Sequence, residues 1–191
     1  MAEITAAKVK ELRDITQAGF MDCKRALEES DGDMEQAITR LRERGQAAAS
    51  KRAGREAREG LIGSYVHTGG RIGVLIEVNS ESDFVARNEQ FQKLVRDLAI
   101  QVAGLNPRYI DVEDIPGEVV EAKRAELAED ARTRDDVEAN LNRWTKEVAL
   151  LEQPFRDTNM TVRDLITNAI ATIGENIRVR RFARFELGEE L

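Results

Sequence analysis

The spacing of apolar residues divides the chain into helical and strand-like segments. Near the N-terminus, apolar side chains recur every three or four residues in three short runs, as in amphipathic helices. The third run follows Asp33 and Gln36, which fit a helix N-cap and its capping-box partner. A loop that contains Gly19 separates the first two runs. These runs predict a compact three-helix bundle over residues 1–45.

The next stretch is basic and rich in alanine. Residues 46–60 include four basic side chains and no large apolar one. Such a segment favours a helix that has little to bury, and glycine commonly follows the end of a helix. We therefore predict a basic linker helix over residues 46–60 that ends at Gly60.

A period of two begins after residue 60. Ile72, Val74, Ile76 and Val78 share one face of a predicted strand, and Gly69–Gly70 separates it from a preceding strand-like run. Glycine pairs favour tight hairpins because glycine accepts positive φ angles. This pattern predicts an antiparallel hairpin with a two-residue connection.

The same alternation returns near the C-terminus and predicts a third strand. Its core face would carry Ile177, Val179, Ala183, Phe185 and Leu187. The opposite face would carry arginines and Phe182, and we expect a partner such as a second copy of the chain to cover it.

These elements predict an α+β fold. Residues 61–191 would form a core of a three-stranded antiparallel sheet packed with helices, with a helical excursion over about 116–151. The three-helix bundle and the linker helix precede this core.

Composition narrows the class of protein. The net charge of −7 argues against a protein that wraps duplex nucleic acid, so we expect no direct nucleic-acid binding. The chain has no apolar run of the length that spans a bilayer, and its first residues do not fit a signal peptide. We expect a soluble, cytoplasmic protein that does not contact a membrane.

The sequence offers no convincing set of catalytic groups. Cys23 and His67 are the single cysteine and the single histidine, and a metal site needs several such ligands. The chain also lacks the glycine-flanked serine of a nucleophile elbow. We therefore expect no enzyme activity, no metal and no cofactor.

The segment from Asn79 to Asn88 follows neither the helical spacing of apolar residues nor the alternation of a strand. Its polar residues favour a turn, and Asn88 fits the N-cap of the following helix. Phe84 is the unusual residue, because neither flanking pattern places it in a core. The ring either folds back into its own domain or is held out toward a partner.

The residues around Phe84 resemble a known motif. Asp83–Asn88, followed by Phe91, is similar to the core motif of the bacterial elongation factor Ts family. Ser82 and Gln17 stand where that family commonly has Thr and Gly. Further similar segments follow the family order along nearly the whole chain: Asp22–Lys24 with Ala26 and Leu27, Leu150–Phe155, Gly174–Ile177, and Arg180–Phe182 with Arg184 and Phe185.

The resemblance implies a guanine-nucleotide exchange factor for elongation factor Tu. It implies a bundle similar to ubiquitin-associated domains that docks on the nucleotide-binding domain of this partner. The Asp83–Phe84 loop would insert and promote GDP release by distorting the phosphate and magnesium site. The helical excursion would project from the core, and a short form with a single core copy would form a homodimer through its open sheet face.

The resemblance and the local pattern together assign roles to particular residues. The residues expected to contact elongation factor Tu are Asp83, Phe84, Arg13, Gly19, Phe20, Met21, Asp22 and Lys24. The residues expected to support the loop are Ser82, Val85, Arg87 and Asn88. Ordinary surface charge is an alternative explanation for Arg13 and Lys24.

Two alternative functions remain open at this stage. An RNA-binding translation protein could use the basic helix, and its binding would depend steeply on salt concentration. An adaptor of the translation machinery would bind its partner without changing nucleotide release.

Overall fold

A computed structural model describes residues 4–131, 133–156 and 160–190. Over these ranges the chain forms eight α-helices and three β-strands, which confirms the α+β prediction. The elements are α1 Ala6–Thr16, α2 Phe20–Glu29, α3 Met34–Arg52, β1 Glu59–Val66, β2 Ile72–Ser80, α4 Asp83–Ala86, α5 Glu89–Leu105, α6 Gly117–Asp130, α7 Arg134–Val148, α8 Val162–Ile173 and β3 Arg178–Glu186.

The first three helices form the predicted bundle. The Thr5 side chain caps α1 by accepting from the Lys8 N–H, and Asp33 caps α3 by accepting from the Gln36 N–H. Burial raises the pKa of the Cys23 thiol, so this side chain packs in its neutral form. The likeness to ubiquitin-associated domains stays a prediction. The bundle core consists of Val9, Leu12, Ala18, Cys23, Ala26, Leu27, Ala37 and Leu41.

The predicted linker helix differs from the structure. Helix α3 continues without a break past residue 45 and ends at Arg52, so the helical prediction is wrong for residues 53–58. Gly60 does not end a helix but lies in β1 with a φ of 132°. A Cβ there would lie 2.1 Å from the carbonyl oxygen of Val78, so the close approach of two strands requires this glycine. The division into three domains stays a prediction.

Helix α3 is not simply a solvated connection, because it packs against α8. Gly45 is buried at this contact, where a Cβ would lie 3.1 Å from Cγ2 of Thr167. The Asn168 amide donates a hydrogen bond of 2.6 Å to the carbonyl oxygen of Thr16. The bundle and the core are therefore in direct contact.

The sheet is antiparallel in the order β1, β2, β3. Val74, Ile76 and Val78 face the core on one side of β2, as their alternation predicts. They pack with apolar residues of α5 and α8. The hairpin prediction is confirmed. The last hydrogen bond before the turn runs from the His67 N–H to the Ile72 carbonyl, so residues 68–71 form the connection, which is longer than the predicted two residues.

A β-bulge changes the predicted faces of β3. Val78 pairs with Val179 while Glu77 pairs with Arg181, so Arg180 is an extra residue. An extra residue reverses the alternation beyond it. Phe182 therefore packs against the core and Phe185 faces solvent, and the predicted core face is wrong after Val179.

The helical excursion consists of α6 and α7. A short connection joins the two helices, and Arg124 of α6 forms an ion pair with Glu138 of α7. Thr133 and Asp136 form a capping box that begins α7. This helix pair lies within residues 116–151, where the sequence predicts the helical excursion.

Candidate partner-binding site

Phe84 lies on a one-turn helix, where the sequence predicts a loop. This helix, α4, connects the end of β2 to the start of α5. The Phe84 side chain is exposed, with 78% of its surface accessible. The ring therefore does not fold back into its own domain, and its contact with a partner stays a prediction.

Hydrogen bonds to the residues before Phe84 hold this turn in place. The Ser82 side chain is the N-cap of α4 and accepts from the Val85 N–H at 3.5 Å. The same hydroxyl donates to the Glu175 carboxylate at 2.6 Å. Glu175 also accepts from the backbone N–H groups of Glu81 and Ser82, at 3.1 and 3.0 Å.

The other predicted supporting residues lie around the same turn. Asp83 forms an ion pair with Arg87, with 2.7 Å between the carboxylate and guanidinium. Val85 is half-buried and packs against the core. The Asn88 side chain accepts from the Gln90 N–H and caps α5. The structure thus brings Ser82, Asp83, Val85, Arg87 and Asn88 together at the base of Phe84.

Except for Arg13 in α1, the predicted contact residues of the bundle lie at the start of α2. Gly19 is the N-cap of this helix. Asp22 lies in the first turn and pairs with Arg25 at 2.5 Å. Phe20 and Met21 precede it and are both exposed. The result is an exposed apolar pair beside a charged pair.

Two further bundle residues differ in their surroundings. The Lys24 ammonium lies 3.7 Å from the Glu28 carboxylate on the exposed side of α2. Arg13 lines a cleft of about 310 Å³ together with Phe20, and Lys93 and Asp97 of α5 line its other side. Because α5 directly follows the Phe84 turn, both predicted contact regions border this helix.

Sequence reasoning missed Glu175 as a site residue. The segment Gly174–Ile177 is similar to the corresponding family segment, but nothing in its local pattern connects it with Phe84. The usable signal was a carboxylate directly after the glycine that ends a helix, where the chain changes direction.

The described residues contain no group of three or more acidic, histidine or cysteine side chains placed to hold a metal ion. In the same part of the chain, no helix combines the length and apolar character needed to cross a membrane.

An exposed aromatic on a fixed turn and an exposed apolar pair on a packed bundle are features typical of protein-binding surfaces. Comparison with known proteins gives the family. A family model described as elongation factor TS matches residues 1–165. Elongation factor Ts of Carboxydothermus hydrogenoformans is 53% identical over 98% of this chain and 91% of its own length. That of Synechococcus elongatus is 52% identical over 99% of this chain and 90% of its own length.

The relative from Thermosynechococcus vestitus is 55% identical over 99% of this chain but only 67% of its own length. The chain belongs to the elongation factor Ts family. It is a translation elongation factor and not an enzyme. Family membership implies the role of a nucleotide exchange factor for elongation factor Tu.

Proposed function

We propose that this chain promotes GDP release from elongation factor Tu by inserting the Asp83–Phe84 turn into it. The bundle docks on the nucleotide-binding domain of the partner, and the inserted ring favours a partner conformation with a distorted phosphate and magnesium site. The observation that carries the proposal is the exposure of Phe84, at 78%, on a turn that hydrogen bonds hold on the core.

The energetics require more than one contact. A thousandfold acceleration of GDP release requires a barrier lower by about 4 kcal/mol. Burial of one phenylalanine contributes only about 1.5 to 3 kcal/mol. The remaining stabilisation comes from the bundle, where Phe20 and Met21 offer a second apolar contact. By thermodynamic linkage, the factor and GDP weaken each other's binding by the same ratio.

The charged residues at both sites have supporting roles in this proposal. Asp83 engages the partner and orients the turn through its ion pair with Arg87. Arg13, Asp22 and Lys24 surround the apolar pair of the bundle and contact polar groups of the nucleotide-binding domain. Gly19 leaves room for the Asp22 carboxylate, because a Cβ at this position would lie 3.0 Å from its Oδ2 atom.

The direct test is the rate of GDP release from purified elongation factor Tu, followed with a fluorescent GDP analogue. We expect the wild-type chain to accelerate release and Phe84→Ala to lower the stimulated rate by about tenfold to a hundredfold. Leu105→Ala is the matched control, because it removes another exposed apolar side chain at the far end of α5. A folded Phe84→Ala variant with full activity contradicts the wedge role.

The same assay separates the proposal from an adaptor function. An adaptor binds elongation factor Tu without any change in GDP release.

The RNA-binding alternative is weakened by the contacts of the basic stretch. The Arg52 guanidinium donates to the Gly174 carbonyl at 2.8 Å, and the Arg55 guanidinium lies 3.5 Å from the Glu81 carboxylate. These side chains support the fold of the chain and are not free to track a phosphate backbone.

We also propose that the open face of the sheet joins two copies of the chain. Val66 and Phe185 flank Gly73 in one row across the three strands, and Leu75 occupies the middle of the next row. These apolar side chains are exposed, while Glu77 and Arg181 form an ion pair at one end of the patch. A second copy related by a two-fold axis can match the apolar rows and pair its own charges with these.

Sedimentation velocity tests this dimer. We expect a dimer for the wild-type chain and a monomer for Leu75→Glu, because a buried unpaired carboxylate opposes association. Val112→Glu, an exposed apolar position outside the sheet, is the control that should stay dimeric. A wild-type chain that sediments as a monomer at the concentrations used for the exchange assay contradicts the dimer.

A further inference from the structure

The segment Gly174–Ile177 has no role in the function derived so far, although it contacts the Phe84 turn. Gly174 ends α8 with a φ of 87°, a conformation that favours glycine. The chain changes direction there, and the next residue, Glu175, lies beside the end of β2. The carboxylate of Glu175 thereby reaches residues more than ninety positions earlier in the sequence.

Glu175 and Glu81 form a reciprocal clasp. The Glu175 carboxylate accepts hydrogen bonds from the N–H groups of Glu81 and Ser82 and from the Ser82 hydroxyl. In the other direction, the Glu81 carboxylate accepts from the N–H of Asn176 at 2.6 Å. Hydrogen bonds to a carboxylate are stronger than those between neutral groups. Two separate segments are thus held together by four such bonds.

Neighbouring contacts fix the two sides of the clasp. The Asn176 amide donates to the Arg55 carbonyl at 2.8 Å, and Arg55 itself lies 3.5 Å from the Glu81 carboxylate. The Arg52 guanidinium, at the end of α3, donates to the Gly174 carbonyl at 2.8 Å. The turn that carries Glu175 is therefore fastened to the same chain segment that leaves the bundle.

The clasp acts on Phe84 through Ser82. A helix of four residues has little stability of its own, so the direction of α4 depends on its cap. The Ser82 hydroxyl donates a hydrogen bond to the Glu175 carboxylate. The lone pairs of the Ser82 oxygen stay available to accept the hydrogen bond from the Val85 N–H. Because the Phe84 ring is mostly exposed, few contacts of its own hold it, and the backbone of the turn sets its position.

We propose that Glu175 is a positioning residue for the exchange reaction, and this proposal rests on the function proposed above. It holds the turn in one orientation before the partner arrives. Without the carboxylate the turn samples other orientations, and insertion of Phe84 has to order the turn as well as bury the ring. The cost appears in the step that releases GDP, while docking of the bundle is unaffected.

The first test measures stimulated GDP release as a function of the concentration of the factor. We expect Glu175→Ala to lower the maximal rate by about tenfold and to change the half-saturating concentration by less than about twofold. Glu175→Gln keeps one acceptor oxygen and should lower the maximal rate by only about threefold. Glu152→Ala is the control, because it removes a partly buried carboxylate that pairs with Arg163 away from the turn. If Glu175→Ala instead raises the half-saturating concentration by about tenfold and leaves the maximal rate unchanged, the proposal is overturned.

A double-variant cycle tests whether Glu175 acts through the ring. In a chain that already carries Phe84→Ala, we expect Glu175→Ala to change the maximal rate by less than about twofold. The same tenfold loss in both backgrounds overturns the proposal, because Glu175 then acts by another route.

Amide hydrogen exchange gives a measurement that does not need elongation factor Tu. We expect Glu175→Ala to accelerate exchange of the amides of residues 81–87 by about tenfold or more, and to leave the amides of β2 unchanged. Unchanged protection of residues 81–87 together with an active wild-type chain overturns only the role of Glu175. A wild-type chain that does not accelerate GDP release refutes the proposed function, whatever the amides show.

Discussion

The two predicted contact regions are built in different ways. The Phe84 turn is held by bonds between residues far apart in the sequence, since Glu81 and Glu175 are separated by 94 positions. The apolar pair Phe20 and Met21 instead begins a helix whose N-cap is a glycine. The charged residues next to this pair, Asp22 and Lys24, form ion pairs with residues of the same helix. One region depends on the tertiary structure, and the other on its local sequence.

This difference matches the two tasks in the proposed function. A side chain that inserts between groups of a partner has to be placed accurately, and bonds to a rigid core supply that accuracy. A surface that only docks can adjust its side chains during binding. We therefore expect changes around the Phe84 turn to lower the maximal exchange rate, and changes at the start of α2 to weaken binding.

The largest effect should come from the strand pair beneath the Phe84 turn. Gly60→Ala forces a side chain into a position where the Val78 carbonyl oxygen lies 2.1 Å away and φ is 132°. We expect it to lower the free energy of unfolding by about 3 kcal/mol, measured by urea denaturation. Gly54→Ala is the control, because a Cβ there meets nothing within 4 Å. Equal stability of the two variants contradicts the close strand approach.

A variant of the docking surface should show a smaller and different effect. Replacing both Phe20 and Met21 by alanine removes two exposed apolar side chains and leaves the buried bundle core intact. We expect the half-saturating concentration in the exchange assay to rise by about tenfold, with the maximal rate within about twofold of wild type. A large loss of maximal rate would show that the bundle takes part in the release step itself.

The cap of the Phe84 turn offers a graded comparison. Ser82→Ala removes both the cap of α4 and the hydroxyl that donates a hydrogen bond to Glu175. We therefore expect the maximal rate of GDP release to fall by about fivefold. Ser82→Thr retains a hydroxyl and should stay within about twofold of wild type. Stopped-flow measurement of GDP release checks both values. If the two variants behave alike, the hydroxyl does not fix the turn.

The smallest effect concerns pH and the bundle alone. The hydrogen bond from Arg44 lowers the pKa of the Glu29 carboxyl below its ordinary value. This pair therefore stabilises the folded chain at a pH above the ordinary pKa of a glutamate carboxyl. The contribution is lost as the pH falls through the lower pKa of the folded state. Thermal unfolding between about pH 6 and about pH 3 should show a shallower decline for Glu29→Gln than for wild type. Because the pair is exposed, the difference should be slight.

The sequence by itself determined where α3 and α5 begin. Their caps, Asp33 and Asn88, occur where the pattern places them, because a cap involves residues only two or three positions apart. The apolar faces of β2 and of the bundle helices also follow from local spacing. The same local pattern marked Phe84 as a residue that no core explains.

Other features were decided only by contacts between distant parts of the chain. The bulge at Arg180 reverses the faces of β3, because pairing with β2 overrides the simple alternation. Gly60 is required by the approach of β2, and not by the end of a helix. The clasp of Glu175 depends on where α8 ends relative to β2. Periodicity reports which side of an element is apolar, whereas such pairings depend on which elements the fold brings together.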